Sequence, residues 1–330
     1  MATCRLRKSL DITWVTADDS IIITAAGNPI PRHATSKAIT AMAKNHLLNR
    51  LLSKPDQGKA IKLTAQHPAS NHFLRDGRYT SFADWRFIHR ARLSVVPLNG
   101  LRRFGQSSSK CRRCSYPKET LAHVLNHCNR NLHLATERHN AILDRLRRAI
   151  HDKDLIIRTN QRVPDYEGNC RPDIVAIDEA TKTATIVDVV VPFENGHEAF
   201  NNARQKKIQK YRPLTQHFRT KGYDTFCDAF VIGSLGAYDP GNIAVLQRLG
   251  IGRNYSKLMA KLMVSDPIRW SREIYMQHLN RGHFYNEQRR HPPSNGQSQH
   301  NHPSQTSRPG NNDRPQRHYP VRANQRLDSA

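Results

Sequence analysis

The sequence contains few acidic residues and no long apolar run. Its 330 residues include 52 Lys plus Arg against 27 Asp plus Glu, which gives a formal net charge of +25. No stretch approaches the roughly eighteen consecutive apolar residues of a membrane span, and the N-terminus lacks the apolar core of a secretory signal. We therefore predict an intracellular protein that engages no membrane and binds a polyanion such as nucleic acid.

Cysteine is also scarce. Six cysteines are too few for a disulfide scaffold in a chain of this length. Cys170 and Cys227 have no partner at metal-binding spacing and are interpreted as structural. Three others lie together in CRRCSYPKETLAHVLNHC, residues 111–128, where histidine accompanies them. This clustering predicts a metal site.

The ligand candidates in this window are Cys111, Cys114, His123 and Cys128, in a C-x2-C-x8-H-x4-C arrangement. Thiolate and imidazole donors in a set of four suit the tetrahedral coordination that Zn²⁺ favours. We therefore predict a CCHC zinc knuckle over residues 105–135. His127 follows His123 by four residues and is an alternative ligand.

The predicted knuckle is basic, because Arg112, Arg113 and Lys118 lie within it. Such a knuckle would contact single-stranded or distorted nucleic acid through these residues. A purely structural zinc clip explains the same pattern equally well.

The two flanks of the chain differ in composition from its centre. Residues 1–104 predict a helical segment, with apolar helical patterns over 36–54 and 82–98 joined by polar, Pro-containing connections. The pattern over 75–97 fits either a helix facing nucleic acid or a helix with a buried apolar stripe and solvated arginines. Residues 286–330 are rich in Pro, Gln, Asn, Ser and His and predict a disordered basic tail.

Hydrophobic periodicity predicts an α/β domain over residues 136–285. The predicted order is a helix from residue 136, strands over 155–163, 171–177 and 184–192, a basic helix over 197–222, a strand over 225–238, and helical segments over 242–250 and 256–279. Pro213 and Pro267 predict a kink or break in the helices that contain them.

Two aspartates in this domain carry the strongest catalytic signal. Asp173 begins one predicted strand, and Asp188 lies near the centre of the next among valines and isoleucines. A hairpin would bring both carboxylates to one edge of the sheet, where they could share Mg²⁺ or Mn²⁺. Without a compensating cation, the charge of Asp188 would be costly in an apolar strand. The pair therefore predicts metal-dependent cleavage of a phosphodiester.

The helix after Asp188 supplies basic candidates. Lys207 and Lys210 are three residues apart and share a helix face, so either one could polarise the attacking water while the other holds the scissile phosphate. The sequence does not distinguish them. Arg171, Lys206 and Tyr211 are expected to contact the nucleic acid.

Three further residues near these elements have ambiguous roles. Glu194 and Glu198 are interpreted as interacting with a helix N-terminus in preference to binding a metal ion. His139, from the first helix of the domain, either faces the site or is a hydrogen-bonded structural histidine.

Taken in order, the motifs CRRC, ETLAHVLNHC, RHNAIL, RPD, VDVVVPFE and KKIQKY resemble the C-terminal region of type-1 (non-LTR) retrotransposons that encode a restriction-like endonuclease, including those inserting into ribosomal RNA genes. The resemblance implies a PD-(D/E)xK restriction-endonuclease-like mixed sheet with flanking helices. Asp173 would be the PD aspartate, Asp188 the second acid, and KKIQKY the source of the lysine. In many members of that fold the lysine lies two residues after the second acid, a position that is Val190 here.

The resemblance also implies a biological role. Such a domain nicks double-stranded chromosomal target DNA in the nucleus, and a reverse transcriptase then extends the 3′ end on element RNA. No YxDD-like polymerase motif is present, so residues 1–104 would at most match a thumb and linker that follow a polymerase. We therefore expect a fragment or a truncated copy of a Pol-like polyprotein, with a non-catalytic zinc-knuckle protein that binds nucleic acid as the alternative.

Overall fold

The computed structural model describes residues 9–17, 20–25, 27–75, 77–101, 108–151 and 154–290. The described residues up to Glu287 belong to one compact unit. The predicted tail from residue 291 onward and residues 105–107 of the predicted knuckle lie outside the described residues. No helix within the described ranges is long and apolar enough to cross a bilayer.

A three-stranded antiparallel meander opens the described part of the chain. Its strands are β1 (Ile12–Ala17), β2 (Ser20–Ala25) and β3 (Asn28–Ile30), paired in the order β1-β2-β3. The Thr, Ile and Val residues of β1 and β2 favour extended backbone. Gly27, with φ of 78°, permits the tight turn into β3. The prediction that residues 1–104 are helical is therefore wrong for this stretch.

Helices follow the meander. They are α1 (Thr35–Leu52), α2 (Gln57–Thr64) and α3 (Phe82–Arg92), with a 3₁₀ segment at Pro68–Leu74. The hydroxyl of Ser81 caps α3 by accepting a hydrogen bond from the backbone N–H of Asp84. The buried Phe87 and Ile88 of α3 belong to the same hydrophobic cluster as residues of the central sheet. These helices therefore help to form the core of the molecule.

The central sheet has four strands in the order β4-β5-β6-β7: β4 (Ile156–Thr159), β5 (Ile174–Asp178), β6 (Thr183–Val190) and β7 (Asp224–Val231). Pairing is antiparallel from β4 to β6 and parallel between β6 and β7. The sheet is preceded by helix α4 (Leu132–Arg148), and helix α5 (His197–Thr220) makes the crossover that parallel pairing requires. The predicted mixed α/β class is confirmed.

Side chains alternate between the two faces of this sheet. Ile174 of β5 and Val187 of β6 contribute to the larger hydrophobic cluster, which also contains residues of α4. Val175 and Ile186 contribute to a second cluster with Leu214 of α5. Because successive residues of a strand point to opposite faces, α5 covers one face and α4 the other.

Two helices complete the described chain, α6 (Asn242–Arg248) and α7 (Arg253–Arg290). Pro213 lies inside α5 and Pro267 lies inside α7, so neither helix has a break at its proline. The predicted strand over 225–238 is longer than β7, which ends at Val231. Residues 233–238 instead form a buried loop between β7 and α6.

Candidate functional site

The strand register brings Asp173 and Asp188 together. Ile174 pairs with Val187 between β5 and β6, so the next position along this antiparallel pair places Asp173 opposite Asp188. Alternation along β6 places Asp188 on the same face as Ile186, beneath α5. Asp173 precedes the paired part of β5 and contacts His139 of α4, but the charges of both aspartates act on His139 and on Tyr211, so the two acids are near neighbours.

Asp188 is 2% exposed and is held by two residues of α5. Lys207 Nζ forms an ion pair with Oδ2, and the hydroxyl of Tyr211 donates a hydrogen bond to Oδ1 at 2.7 Å. Burial, followed by the hydrogen bond to Asp188 and the charge of Asp188, raises the pKa of Tyr211 far above its usual range. The phenol therefore stays protonated and keeps the carboxylate oriented.

The structure gives the two candidate lysines different contacts. Lys207 contacts the carboxylate of Asp188. Lys210 Nζ donates a hydrogen bond to the hydroxyl of Tyr211 at 2.8 Å and lies 4.6 Å from the centroid of its ring. Lys210 is therefore connected to Asp188 through the phenol, whereas Lys207 touches the acid.

Asp173 is held from the strand beside it and from α4. Its Oδ2 accepts a hydrogen bond from the backbone N–H of Val189 at 2.6 Å and lies 3.0 Å from Nε2 of His139. Burial alone would lower the pKa of His139, but the hydrogen bond to Asp173 and the charges of Asp173 and Asp188 outweigh it and raise the pKa. His139 is therefore part of the acidic site.

The donor set at the acidic site suits a hard divalent cation. Mg²⁺ is commonly held by one or two carboxylates and keeps several waters, so Asp173 and Asp188 fit this role. In the part of the chain that the structure describes, groups of three or more His, Cys, Asp or Glu ligand atoms at metal-binding separation occur only around Cys111. The ligand atoms of His139, Asp173 and Asp188 therefore do not all lie within 4.8 Å of one another.

Glu194 has a structural position. It is 1% exposed, and its carboxylate accepts hydrogen bonds from the backbone N–H groups of Leu235 at 2.8 Å and Ala237 at 3.1 Å. Burial raises the pKa of Glu194 to about 7, although these hydrogen bonds and the charge of Arg92 oppose the shift. A Cβ at Gly233 would lie 2.0 Å from its Oε1, so only glycine fits there. The expectation that Glu194 interacts with a helix N-terminus is wrong, whereas Glu198 does lie in the first turn of α5.

The four predicted zinc ligands converge. Ligand atoms of Cys111, Cys114, His123 and Cys128 all lie within 4.8 Å of one another. A turn brings the first two cysteines together, with the N–H of Cys111 donating to the carbonyl of Tyr116 at 2.8 Å. The alternative ligand His127 is exposed and does not belong to the group.

A π-helical turn, His123–His127, places the second pair of ligands. The N–H of Cys128 donates to the carbonyl of His123 at 2.7 Å, an i→i+5 hydrogen bond that brings these two residues to the same side of the turn. The cysteines are free, and burial raises the pKa of Cys111 to about 12. Three sulfur atoms and one imidazole nitrogen form the donor set that Zn²⁺ prefers.

A buried hydrogen-bond network surrounds this Cys/His cluster. Glu119 is 0% exposed and accepts hydrogen bonds from Nε and Nη2 of Arg112, from the backbone N–H groups of Asn99 and Arg112, and from Nε2 of His278 at 2.9 Å. His278, on α7, is also fully buried, and its Nε2 lies 3.8 Å from Sγ of Cys111. The side-chain amide of Asn131 donates to Nδ1 of His278 at 3.1 Å, which leaves the hydrogen on Nε2.

Several residues predicted to bind nucleic acid have internal contacts. The guanidinium of Arg112 binds Glu119, and Nη1 of Arg113 donates to Asn131 at 2.7 Å. Tyr211, on the buried face of α5, is 1% exposed. The burial of Tyr211 contradicts an accessible contact surface at that residue, whereas Arg112 is exposed and also binds Glu119. The exposed positions are Arg112, Lys118, Arg171 and Lys206.

Comparison with known proteins adds two findings. The family model described as the T26G10.4 domain matches residues 31–95. The Retrovirus-related Pol polyprotein from type-1 retrotransposable element R2 of Popillia japonica is 26% identical over 216 residues, which cover 64% of this chain and 44% of that polyprotein. The match thus spans less than half the length of the polyprotein. This similarity supports a relation of the chain to non-LTR retrotransposons.

Proposed function

We propose that this chain carries the endonuclease of a type-1 retrotransposon and nicks double-stranded target DNA with Mg²⁺ or Mn²⁺. The observation that carries this proposal is the ion pair of Lys207 with the buried Asp188, in a strand register that brings Asp173, just before β5, next to Asp188. The order α4-β4-β5-β6-α5-β7 supports a PD-(D/E)xK core. The lysine comes from the helix after the second acid, as the resemblance implied.

The residues around the two acids have separable roles in this proposal. A divalent cation at the carboxylates would supply an activated water and neutralise charge on the leaving 3′ oxygen. Lys207 orients the attacking water or holds the scissile phosphate, because its ammonium lies at the carboxylate. Tyr211 orients Asp188, and His139 orients Asp173.

The Cys/His cluster has a structural role in the same proposal. Its four donors fit one Zn²⁺, which would join the turn of Cys111 and Cys114 to the π-helical turn. We expect about one tightly bound zinc per chain, lost when Cys111 and Cys114 are both changed to serine. Metal analysis of the purified protein that finds no zinc would reject this assignment.

The similarity to the R2 polyprotein and the net charge of +25 support nucleic-acid partners in this proposal. The proposed partners are chromosomal target DNA, element RNA and a reverse transcriptase domain of the parent polyprotein. A chromosomal target places this activity in the nucleus.

A plasmid nicking assay tests the proposed nuclease. The full chain should convert supercoiled plasmid to open circles with Mg²⁺ or Mn²⁺, and Asp173→Asn or Asp188→Asn should slow nicking by at least about 100-fold. Asp165→Asn is the matched control, because the side chain of Asp165 is 81% exposed and contacts Lys221, not either acid.

Two outcomes would contradict the proposal in different ways. If the wild-type chain binds plasmid but leaves it intact with either metal, the chain is a non-catalytic nucleic-acid-binding protein. If nicking occurs and persists in both aspartate variants, the activity resides in another site.

A further inference from the structure

Helix α3 exposes a stacked pair of aromatic rings. Phe82 is 71% exposed and Trp85 is 37% exposed. Their ring centroids are 5.7 Å apart, with an angle of 13° between the ring planes. Single exposed apolar residues are common on proteins, but two parallel exposed rings form a flat apolar surface with a defined orientation.

Positive charge surrounds these rings. The guanidinium carbon of Arg86 lies 5.9 Å from the centroid of Phe82, and Arg90, one turn later, is exposed. Asp84, the acidic residue of α3, is 6% exposed and is bound by Nε of Arg272 at 2.6 Å. Among the described residues between positions 74 and 98, none of the exposed side chains is acidic.

We propose that Phe82, Trp85, Arg86 and Arg90 of α3 form a binding surface for single-stranded nucleic acid. Aromatic rings stack with bases regardless of sequence, and arginines beside them contact the phosphates. Bases in a duplex are already stacked on one another, so their faces are not available to the rings. The surface therefore selects single strands, and this binding does not depend on phosphodiester cleavage.

The proposal is tested with two labelled probes of the same length, one single-stranded and one double-stranded. The full chain carrying Asp188→Asn, which removes cleavage, is titrated into a fluorescein-labelled 20-nucleotide single strand of mixed sequence and into its duplex. Adding Phe82→Ala and Trp85→Ala together should weaken single-strand binding by about 10–100-fold, with duplex binding changed less than about 2-fold.

A matched control uses two exposed apolar residues elsewhere. Leu47 and Leu48 of α1 are 54% and 45% exposed, and changing both to alanine should leave single-strand affinity unchanged. Arg86→Gln provides a variant that keeps the rings, and it should reduce both single-strand affinity and its salt dependence.

Three results would overturn the proposal. Unchanged single-strand affinity in the ring variant would exclude stacking on α3. Equal losses for single strand and duplex would show that the surface does not select single strands. Loss of self-association with single-strand affinity retained would show that the rings form an interface between protein chains. Circular dichroism on each variant verifies folding. If the ring variant unfolds, the single-strand affinity of Arg86→Gln tests the binding surface, and an unchanged affinity in that variant would overturn the proposal.

Discussion

At the scale of single residues, Lys207 and Lys210 differ in their distance from the acid. Lys207 pairs with Asp188, and Lys210 reaches it only through Tyr211. Lys207→Ala should therefore slow plasmid nicking by about 100-fold or more, because the ammonium at the reacting centre is lost. Lys210→Ala should slow it by less than about 10-fold. Single-turnover nicking at saturating protein measures both, with Lys221→Ala, at a side chain 43% exposed just after α5, as control.

The reverse ranking, with Lys210→Ala slower than Lys207→Ala, would assign the catalytic ammonium to Lys210. Equal nicking rates for all three variants would remove lysine from the reaction. Neither result would affect the placement of the two aspartates.

His278 supports the Cys/His cluster from a distant part of the chain. It is fully buried, binds Glu119 and lies 3.8 Å from Sγ of Cys111. His278→Ala should weaken zinc binding by about 10–100-fold, as loss of an outer hydrogen-bond partner typically does. Competition with a chromogenic chelator measures the affinity. Met276→Ala, at a position 38% exposed on the same helix, should bind zinc normally, and normal binding by His278→Ala would contradict the prediction.

The ligand spacing predicted the Cys/His cluster, and the apolar strand around Asp188 indicated a buried carboxylate that needs a cationic partner, which Lys207 is. The choice between Lys207 and Lys210 was not predictable, because both lie on one helix face and only the packing of Tyr211 separates them. The pairing of Glu119 with His278 joins residues 159 positions apart, and neither neighbourhood contains a motif that indicates the other. Such contacts depend on tertiary packing.

At the scale of elements, the prolines within helices provide a test of stability. Pro213 is exposed inside α5, and Pro267 is buried inside α7. Proline cannot donate the helical hydrogen bond, so Pro213→Ala should raise the free energy of unfolding by about 1–2 kcal/mol. Pro267→Ala should raise the free energy of unfolding by a smaller amount, because it also removes the buried contacts of the proline ring. Urea unfolding measures both, and a larger gain at Pro267 would contradict the argument.

Long periodic elements were predicted better than short ones. The helical spacing of Ile142, Leu143 and Leu146 predicted α4, and the apolar runs around Asp173 and Asp188 predicted β5 and β6. The β1–β3 meander was missed although β2 contains three consecutive isoleucines, a signal typical of strands. The continuity of α5 through Pro213 was not predictable, because packing on the sheet overrides the local cost of proline.

At the scale of the whole molecule, the buried loop of residues 233–238 forms hydrogen bonds with segments that are distant in sequence. Arg92 of α3 donates to the carbonyl of Leu235 at 2.8 Å, and Glu194 accepts from the backbone of the same loop. Arg138 of α4 donates to Ser271, which in turn donates to the carbonyl of Ser234 at 2.6 Å. The N-terminal helices, the sheet and α7 therefore depend on one another for stability, which no local sequence pattern indicated.

Glu194 should make stability depend on pH. Burial raises its pKa in the folded chain from 4.5 to about 7, so folding favours the protonated form. Its contribution to stability is complete below pH 4.5 and is lost as the pH rises through about 7. Over this window the wild-type chain should lose about 3 kcal/mol of unfolding free energy relative to Glu194→Gln, which does not titrate.

Urea unfolding of both proteins between pH 4.5 and pH 8 measures this difference. Glu137→Gln, which changes an exposed glutamate of α4, should follow the wild-type profile. Parallel profiles for wild type and Glu194→Gln would show that the buried carboxylate has an ordinary pKa.

The parallel pairing of β6 with β7 also has a consequence during synthesis. The 24 residues of α5 separate these strands, so β6 is translated well before its neighbour exists. Until the ribosome has released Val231, one edge of a strand rich in valine and isoleucine has unpaired backbone groups. Nascent chains that stall within α5 would therefore aggregate through this edge or require chaperone binding, and only the arrival of β7 protects the strand that carries Asp188.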